Sequence, residues 1–209
     1  QLAALLLALL GWFLEYSRFS LWKLAENAGI AYASLRFLLF RSKWVDLPRL
    51  NQARLEVILY DKRTRCTKRG VIVFDDTGSV KKFSFKIEGV ARQYSGSAKG
   101  VEKCLVSVMA AYADPHKRFP IEWIPYRVEG DFPLGKADPK FRDKIDLALD
   151  IMRRLAQDPR FPKIAVMDAW YMARKLIEEA DRLGFSIIGE IDADRKFLKV
   201  GDVFSDDLI

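Results

Sequence analysis

Two short apolar runs in this chain end directly in aspartate. Val71–Phe74 is followed by Asp75 and Asp76, and Ile164–Met167 is followed by Asp168. Short, continuous apolar runs bounded by polar residues are typical of buried strands. If these two strands are neighbours in a sheet, their ends bring the acids together. The chain is therefore predicted to fold around a sheet that carries carboxylates at the ends of two strands.

The order of elements after residue 70 indicates an α/β fold. The predicted elements are strands at 71–76, 101–114 and 119–129, a helix at 141–157, a strand at 164–167, a helix at 169–183 and a strand at 185–191. A polar, glycine-rich connection is predicted for 81–100, and the residues after Ile191 are expected to be irregular. The first three strands have short links, so we expect antiparallel pairing, whereas the later strands alternate with helices and should be parallel. This is the order of a ribonuclease H-like mixed sheet. A doubly wound fold is the alternative, but no glycine-rich phosphate loop follows the first strand.

The region before this sheet, residues 1–65, is predicted to be all-helical. Its first 16 residues, QLAALLLALLGWFLEY, are read as a buried helix, because about 20 apolar residues are needed to span a bilayer. The stretch LWKLAENAGIAYASLRFLLFRSKW has the pattern helix, glycine-containing turn, helix. That pattern suits a DNA-binding helix-turn-helix, and an ordinary helical hairpin is the alternative. The predicted domains are 1–65, helical and a candidate for DNA binding, and 66–209, the sheet domain.

Charge and rare residues narrow the class of function. The net charge is +7 and the pI about 9.4, which favours a polyanionic partner, nucleic acid before membrane. Basic residues are concentrated in KRTRCTKRG, where Arg65, Lys68 and Arg69 are candidate DNA contacts and a solvated linker is the alternative. Cys66 and Cys104 have no metal-type spacing, and His116 lies in a turn-like segment. An enzyme of this composition would work through carboxylates and a metal ion, or through lysine.

The aspartates at the strand ends are candidate ligands for a divalent cation. Two carboxylates held close together repel each other, so at neutral pH they favour a cation between them. Oxygen donors suit Mg²⁺ or Mn²⁺ better than zinc. Two such ions, about 3.5–4 Å apart, support phosphodiester chemistry. The alternative is that Asp168 only caps the element that follows it.

Several motifs together resemble one enzyme family. FDDTGSVKK, GVARQYSGSAKGVEKC and VMDAWY look like the catalytic domain of DDE-type insertion-sequence transposases, in the branch with a DDTG…GVARQYSG signature. The resemblance implies a ribonuclease H-like fold, an Asp-Asp-Glu triad with two Mg²⁺ ions, and cutting and joining of double-stranded DNA at transposon ends. It places the first acid at Asp76, with Asp75 as the alternative, and the second at Asp168. It also implies a homodimer in the prokaryotic cytoplasm, associated with the nucleoid and not with a membrane.

The chain departs from the family pattern at two points. KKF stands at Lys81–Phe83 where the family has KKG. The third acid is expected on a helix after the last strand, and the chain ends at Ile209 before such a helix. Glu190 lies in the last predicted strand and is not assigned that role. We therefore expect the catalytic domain to be incomplete at its C-terminus and this chain alone to have little strand-transfer activity. A non-catalytic DNA-binding remnant and a different metal-dependent nuclease on the same fold are the alternatives.

The segment GVARQYSGSAKG and the aromatic pair after Asp168 are further candidates for DNA contact. Arg92 and Lys99 supply cations and Tyr94 an aromatic face, so the segment could hold a phosphate backbone. A polar hairpin loop is the alternative. Trp170 and Tyr171 could stack on a base, although core packing is the favoured interpretation.

Overall fold

In this computed structural model the described residues are 20–27, 29–41, 46–84, 87–96, 98–191, 198–200 and 203–205. The chain divides into two compact units, Gln1–Glu56 and Val57–Ile209. The buried helix predicted for the first 16 residues lies outside the described part of the chain. Within that part, no helix is both long enough and apolar enough to cross a membrane.

The first unit is helical. Its helices are α1 (Leu21–Asn27), α2 (Tyr32–Phe40) and most of α3 (Leu47–Tyr60). Leu24, Ala25 and Leu35 form a small buried cluster that joins α1 to α2. Gly29 between them has φ +63°, a left-handed conformation that glycine adopts without strain. The predicted helix, glycine turn and helix are therefore present, and DNA binding by this pair stays a prediction.

The second unit contains a mixed sheet with two helices. The strands are β1 (Val71–Val80), β2 (Val90–Ser95), β3 (Gly100–Ala113), β4 (Arg118–Pro125), β5 (Ile164–Met167) and β6 (Ser186–Gly189). The helices are α4 (Lys144–Ala156) and α5 (Arg174–Arg182), and a separate hairpin is formed by β7 (Leu198–Val200) and β8 (Val203–Ser205).

The sheet has the order β2-β3-β1-β5-β6, and β4 also pairs with β3. Strands β2, β1 and β4 are antiparallel to β3. Strand β5 is parallel to both β1 and β6. Helix α4 connects β4 to β5 and α5 connects β5 to β6, as parallel strands require. The predicted ribonuclease H-like α/β fold is confirmed.

Helix α4 covers the sheet with one apolar face. It begins at a capping box in which Asp143 Oδ1 accepts from the Asp146 backbone N–H at 2.7 Å. Its buried residues are Ile145, Leu147, Ala148, Leu149, Ile151, Met152 and Leu155. The helix packs against β3 and α5, and the buried Glu179 of α5 accepts from Arg153 of α4 at 2.8 Å. These contacts hold α4 against the sheet and against α5.

Strand β1 is longer than predicted. The prediction ended the strand at Asp76, but pairing with β3 continues to Val80, which lies opposite Cys104. Asp75 and Asp76 are therefore in the middle of a strand rather than at its tip. The polar residues that follow them need no buried face, because backbone hydrogen bonds to β3 hold this half of the strand.

Three further predictions of secondary structure are wrong in detail. The predicted connection 81–100 contains β2, which pairs with the first half of β3 and exposes Arg92 and Tyr94. The predicted helix 169–183 begins at Arg174, because Ala169–Tyr171 form a 3-10 turn that buries Tyr171. The residues after Ile191, predicted to be irregular, include the hairpin of β7 and β8.

A buried tyrosine ties the basic segment before β1 to the end of β3. The Tyr112 hydroxyl donates to Asp114 Oδ2 at 2.6 Å and accepts from the Thr67 backbone N–H at 2.9 Å. Asp114 also accepts from the backbone N–H groups of His116 and Lys117. The hydrogen bond from Tyr112 is the main reason that the pKa of Asp114 lies well below its usual value.

Replacing Tyr112 by Phe should lower the free energy of unfolding by about 1–3 kcal/mol, because buried partners lose a hydrogen bond. The control is Tyr60→Phe, since that side chain is 90% exposed and its hydroxyl is solvated. Urea unfolding of both variants checks this expectation. Equal stability of Tyr112→Phe and the wild type would contradict it.

The same variant has a defined pH dependence. A carboxyl whose pKa is lowered by folding stabilises the protein above its unfolded pKa, near 4, and this contribution falls as the pH drops below that value. The difference in unfolding free energy between wild type and Tyr112→Phe should therefore narrow below about pH 4.

Candidate active site

The register of β1 against β5 brings the predicted acids together. Phe74 of β1 lies opposite Met167 at the end of β5. Because the two strands are parallel, the next residues, Asp75 and Asp168, lie side by side. Burial raises the pKa of Asp75, and the charges of Asp76 and Asp168 raise it further. The three carboxylates thus form one electrostatically coupled group, which we call the acid cluster.

Asp75 and Asp76 point to opposite faces of the sheet. Side chains alternate along a strand, so Asp76 shares the face of the buried Phe74. The Asp76 side chain is 31% exposed. Asp75 is exposed on the other face, and its Oδ1 accepts from the Asp76 backbone N–H at 2.7 Å. Of the two, Asp76 is the one directed to the side where the core helices pack.

Asp168 also caps the turn that follows it. Its Oδ1 accepts from the Tyr171 backbone N–H at 3.3 Å, so the capping alternative is present in the structure. This bond uses one carboxylate oxygen and leaves the side chain exposed at the sheet edge. Capping and metal ligation are therefore compatible at this residue. Glu190, which directly follows β6, is exposed at the register position next to Asp168.

Lys144 is a member of the site that the sequence interpretation missed. Its ammonium forms an ion pair with Asp76 Oδ2, and the lysine side chain is 21% exposed. Its Nζ lies 5.0 Å from the ring centroid of Trp170 and 5.9 Å from that of Tyr126. The capping box predicts a helix start at this residue, but no local pattern reveals a contact across 68 positions.

Tyr171 places a buried hydroxyl beside the acid cluster. The residue is 1% exposed, which agrees with the favoured prediction of core packing. Its hydroxyl has no hydrogen-bond partner among the described residues. Burial raises the pKa of the phenol, and Asp76, Asp168 and Asp75 raise it further, so the hydroxyl keeps its proton. A buried donor without a partner, next to carboxylates, suits a site completed by a further group. Trp170, by contrast, is 52% exposed.

The chemistry of the donors fits a hard divalent cation. The acid cluster supplies only oxygen donors, which Mg²⁺ and Mn²⁺ prefer. Mutual repulsion among the carboxylates favours a positive charge at this place. Among the described residues, however, no three His, Cys, Asp or Glu side chains are arranged to hold one ion. The donors present therefore amount to a partial site.

The predicted DNA contacts of the basic segment are exposed. Arg65, Lys68 and Arg69 project to solvent just before β1, and within the described ranges no acidic side chain pairs with them. Asp75 is five steps along the strand from Gly70, a distance of about 16 Å. The segment is therefore close enough to the acid cluster for one DNA duplex to contact both.

The other predicted DNA contacts lie on the hairpin of β2 and β3. Arg92 and Tyr94 share the exposed face of β2, where Arg92 lies opposite Lys103 and Tyr94 opposite Val101. Lys99 is exposed in the turn, with φ 51°. Two cations directly opposite each other repel, so this face attracts an anion. In the hydrogen-bonding order, β3 separates these residues from the acid cluster.

Gly78 allows a close approach between the acid-bearing strand and β2. A side-chain carbon built at Gly78 would lie 2.6 Å from Ser95 Oγ, and Ser95 is itself buried. No real Cβ contact is that short, so the glycine is required by the fold. This gives a structural reason for the glycine in the DDTG motif.

The fold and the site together describe a ribonuclease H-like domain with carboxylates on adjacent strands. The sequence matches the family of DDE superfamily endonucleases over residues 1–206, and the chain belongs to that family. The resemblance drawn from the motifs is thereby confirmed at the level of the family. A search of curated proteins found no match.

Two solved structures are similar at low identity. The Mos1 transposase paired-end complex with the left transposon end shares 11% identity and a TM-score of 0.30, covering 88% of this chain and 57% of that one. The Mos1 mariner paired-end complex with Mn shares 9% identity and a TM-score of 0.29, covering 90% and 59%. The chain thus spans less than two thirds of the length of either transposase chain.

Replacing Gly78 by Ala should destabilise the second unit by about 1–3 kcal/mol, because the new methyl group overlaps Ser95. Gly96→Ala is the matched control, since nothing lies within 4 Å of a Cβ there. Adding Ser95→Ala to Gly78→Ala should recover part of the loss. Thermal unfolding checks all three, and a neutral Gly78→Ala would show that the strands are farther apart.

Proposed function

We propose that this chain is the catalytic domain, or part of it, of a transposase that cuts and joins double-stranded DNA at transposon ends. The observation that carries the proposal is that β1 and β5 pair just before Asp75, Asp76 and Asp168, so that all three carboxylates lie near the buried Tyr171 in a DDE-family fold. Homodimer formation, as in related transposases, belongs to the same proposal.

In this proposal Asp76 and Asp168 hold Mg²⁺ or Mn²⁺. The bound ion would activate a water or 3′-hydroxyl and stabilise the leaving oxygen in phosphodiester chemistry. Asp75 keeps its hydrogen bond to the backbone and contributes negative charge. Tyr171 offers a protonated hydroxyl from within the core. Its donor can orient a water or a phosphate oxygen at the site.

The basic segment and the β2 hairpin supply the proposed DNA contacts. Arg65, Lys68 and Arg69 would neutralise backbone phosphates beside the acid cluster, and Arg92, Tyr94 and Lys99 would contact DNA farther away. Contacts of this kind position a duplex without reading its sequence. If residues 1–65 and 66–209 are separate domains, as predicted, the helical region 1–65 would supply any further DNA contact.

A second candidate is a non-catalytic DNA-binding remnant. It is favoured by the lack of a three-ligand cluster among the described residues. It would bind DNA with the same basic residues but would neither nick nor join DNA strands when Mn²⁺ is added. Hydrolysis without joining would instead indicate a different nuclease on this fold.

Isothermal titration calorimetry with Mn²⁺ tests the metal site. The wild-type chain should bind Mn²⁺, and Asp76→Ala and Asp168→Ala should each reduce the affinity by at least about tenfold, because each removes a ligand. Asp75→Ala should keep most of the affinity. Asp181→Ala, an exposed carboxylate at the end of α5, is the control for lost charge. Unchanged binding by Asp76→Ala would remove that residue from the site.

Substituting Arg65, Lys68 and Arg69 together by Gln should weaken DNA binding and flatten its salt dependence. Each lost phosphate contact should reduce the slope of log K against log salt by about 0.9. The control, Lys136→Gln with Lys140→Gln, removes two exposed charges from the loop before α4. Fluorescence anisotropy at several salt concentrations gives both slopes. For each variant, the reduction in slope relative to the wild type is divided by the number of charges removed. A slope for the triple variant equal to that of the wild type would exclude the basic segment from the interface.

A further inference from the structure

The ion pair between Lys144 and Asp76 differs from the surface pairs of this protein. The Lys144 side chain is 21% exposed, whereas Lys175, which pairs with Asp146 of α4, is 59% exposed. Less water around an ion pair means less screening and a stronger attraction. The ammonium of Lys144 therefore neutralises the first acid of the cluster in the metal-free protein.

A divalent cation and the Lys144 ammonium compete for the same carboxylate. Both are attracted to Asp76, and they repel each other at short distance. An ion that binds to Asp76 and Asp168 must therefore move Lys144 away or bind against its charge. The free energy needed to break the ion pair makes the overall free energy of metal binding less favourable.

Two aromatic rings hold the ammonium in place beside Asp76. The rings of Trp170 and Tyr126 lie 5.0 Å and 5.9 Å from Lys144 Nζ, within the range of cation–π attraction. Lys144 makes these contacts together with the ion pair to Asp76, so the rings add to the attraction that keeps the ammonium at this place.

We propose that Lys144 is a positioning residue that occupies the Asp76 carboxylate until a divalent cation displaces it. Metal binding at this site is then an exchange of one cation for another. The inference rests on the proposed metal site at Asp76 and Asp168. Until the exchange takes place, the lysine keeps Asp76 paired.

Calorimetry with Mn²⁺ on Lys144→Met tests the exchange. The variant removes the competing charge and keeps a side chain of similar length, so it should bind Mn²⁺ about tenfold more tightly than the wild type. Lys144→Arg keeps the charge and should bind like the wild type. Lys175→Met removes the same charge and the same kind of ion pair away from the cluster, and should also bind like the wild type.

The outcomes separate this inference from the proposed function. If Mn²⁺ binds to the wild type and equally well or more weakly to Lys144→Met, the exchange is wrong and the metal site stands. If neither protein binds Mn²⁺, the metal site itself fails and the inference falls with it. If only Lys144→Met binds, both are supported, and the lysine blocks the site. Circular dichroism checks the folding of each variant, and Lys144→Gln, which also removes the charge, replaces Lys144→Met if that variant does not fold.

Discussion

The central position of β1 is the constraint on which the rest of this structure depends. Strand β1 pairs with β3 along its ten residues and with β5 only from Ile72 to Phe74. Because β5 stops at Met167, β1 continues past it, and its next two residues are the aspartates. The half of β1 that is paired on both sides anchors the strand in the core, and the other half presents carboxylates beside Asp168. Because pairing with β5 ends at Phe74, the residues of β1 that follow are available to form a candidate active site.

Placing three carboxylates at this point costs free energy, and the fold offsets the cost locally. The pKa of Asp75 is raised by burial and by its acidic neighbours, so the cluster is electrostatically unfavourable by itself. The Lys144 ammonium, in the first turn of α4, partly neutralises this negative charge through its ion pair with Asp76. The capping box of Asp143 and Asp146 fixes where that turn begins. Helix α4 therefore does more than cover the sheet, because it brings a cation to the acids.

Sequence patterns predicted the parts of the fold that depend on burial. The apolar runs before Asp75 and Asp168 became β1 and β5, since such runs have few other stable placements. The patterns missed β2 and the second half of β1, whose side chains are polar and whose stability comes from backbone pairing with β3. They also missed the 3-10 turn before α5. Its formation depends on Asp168 capping Tyr171 and on the burial of that ring, which no local periodicity reports.

In the candidate site, too, some residues could be predicted from the local sequence, whereas the role of others depends on tertiary packing. Both aspartates could be predicted because each directly follows an apolar strand. Lys144 could not, because it meets Asp76 only after the crossover from β4 to β5 has placed α4 over the sheet. Tyr171 was predicted as a core residue, but its hydroxyl, which has no hydrogen-bond partner in the described part of the chain, matters only once folding has placed the acids near it. The residues that balance the charge of this site are therefore products of packing. For that reason a motif can identify the acids while leaving open which residues balance their charge.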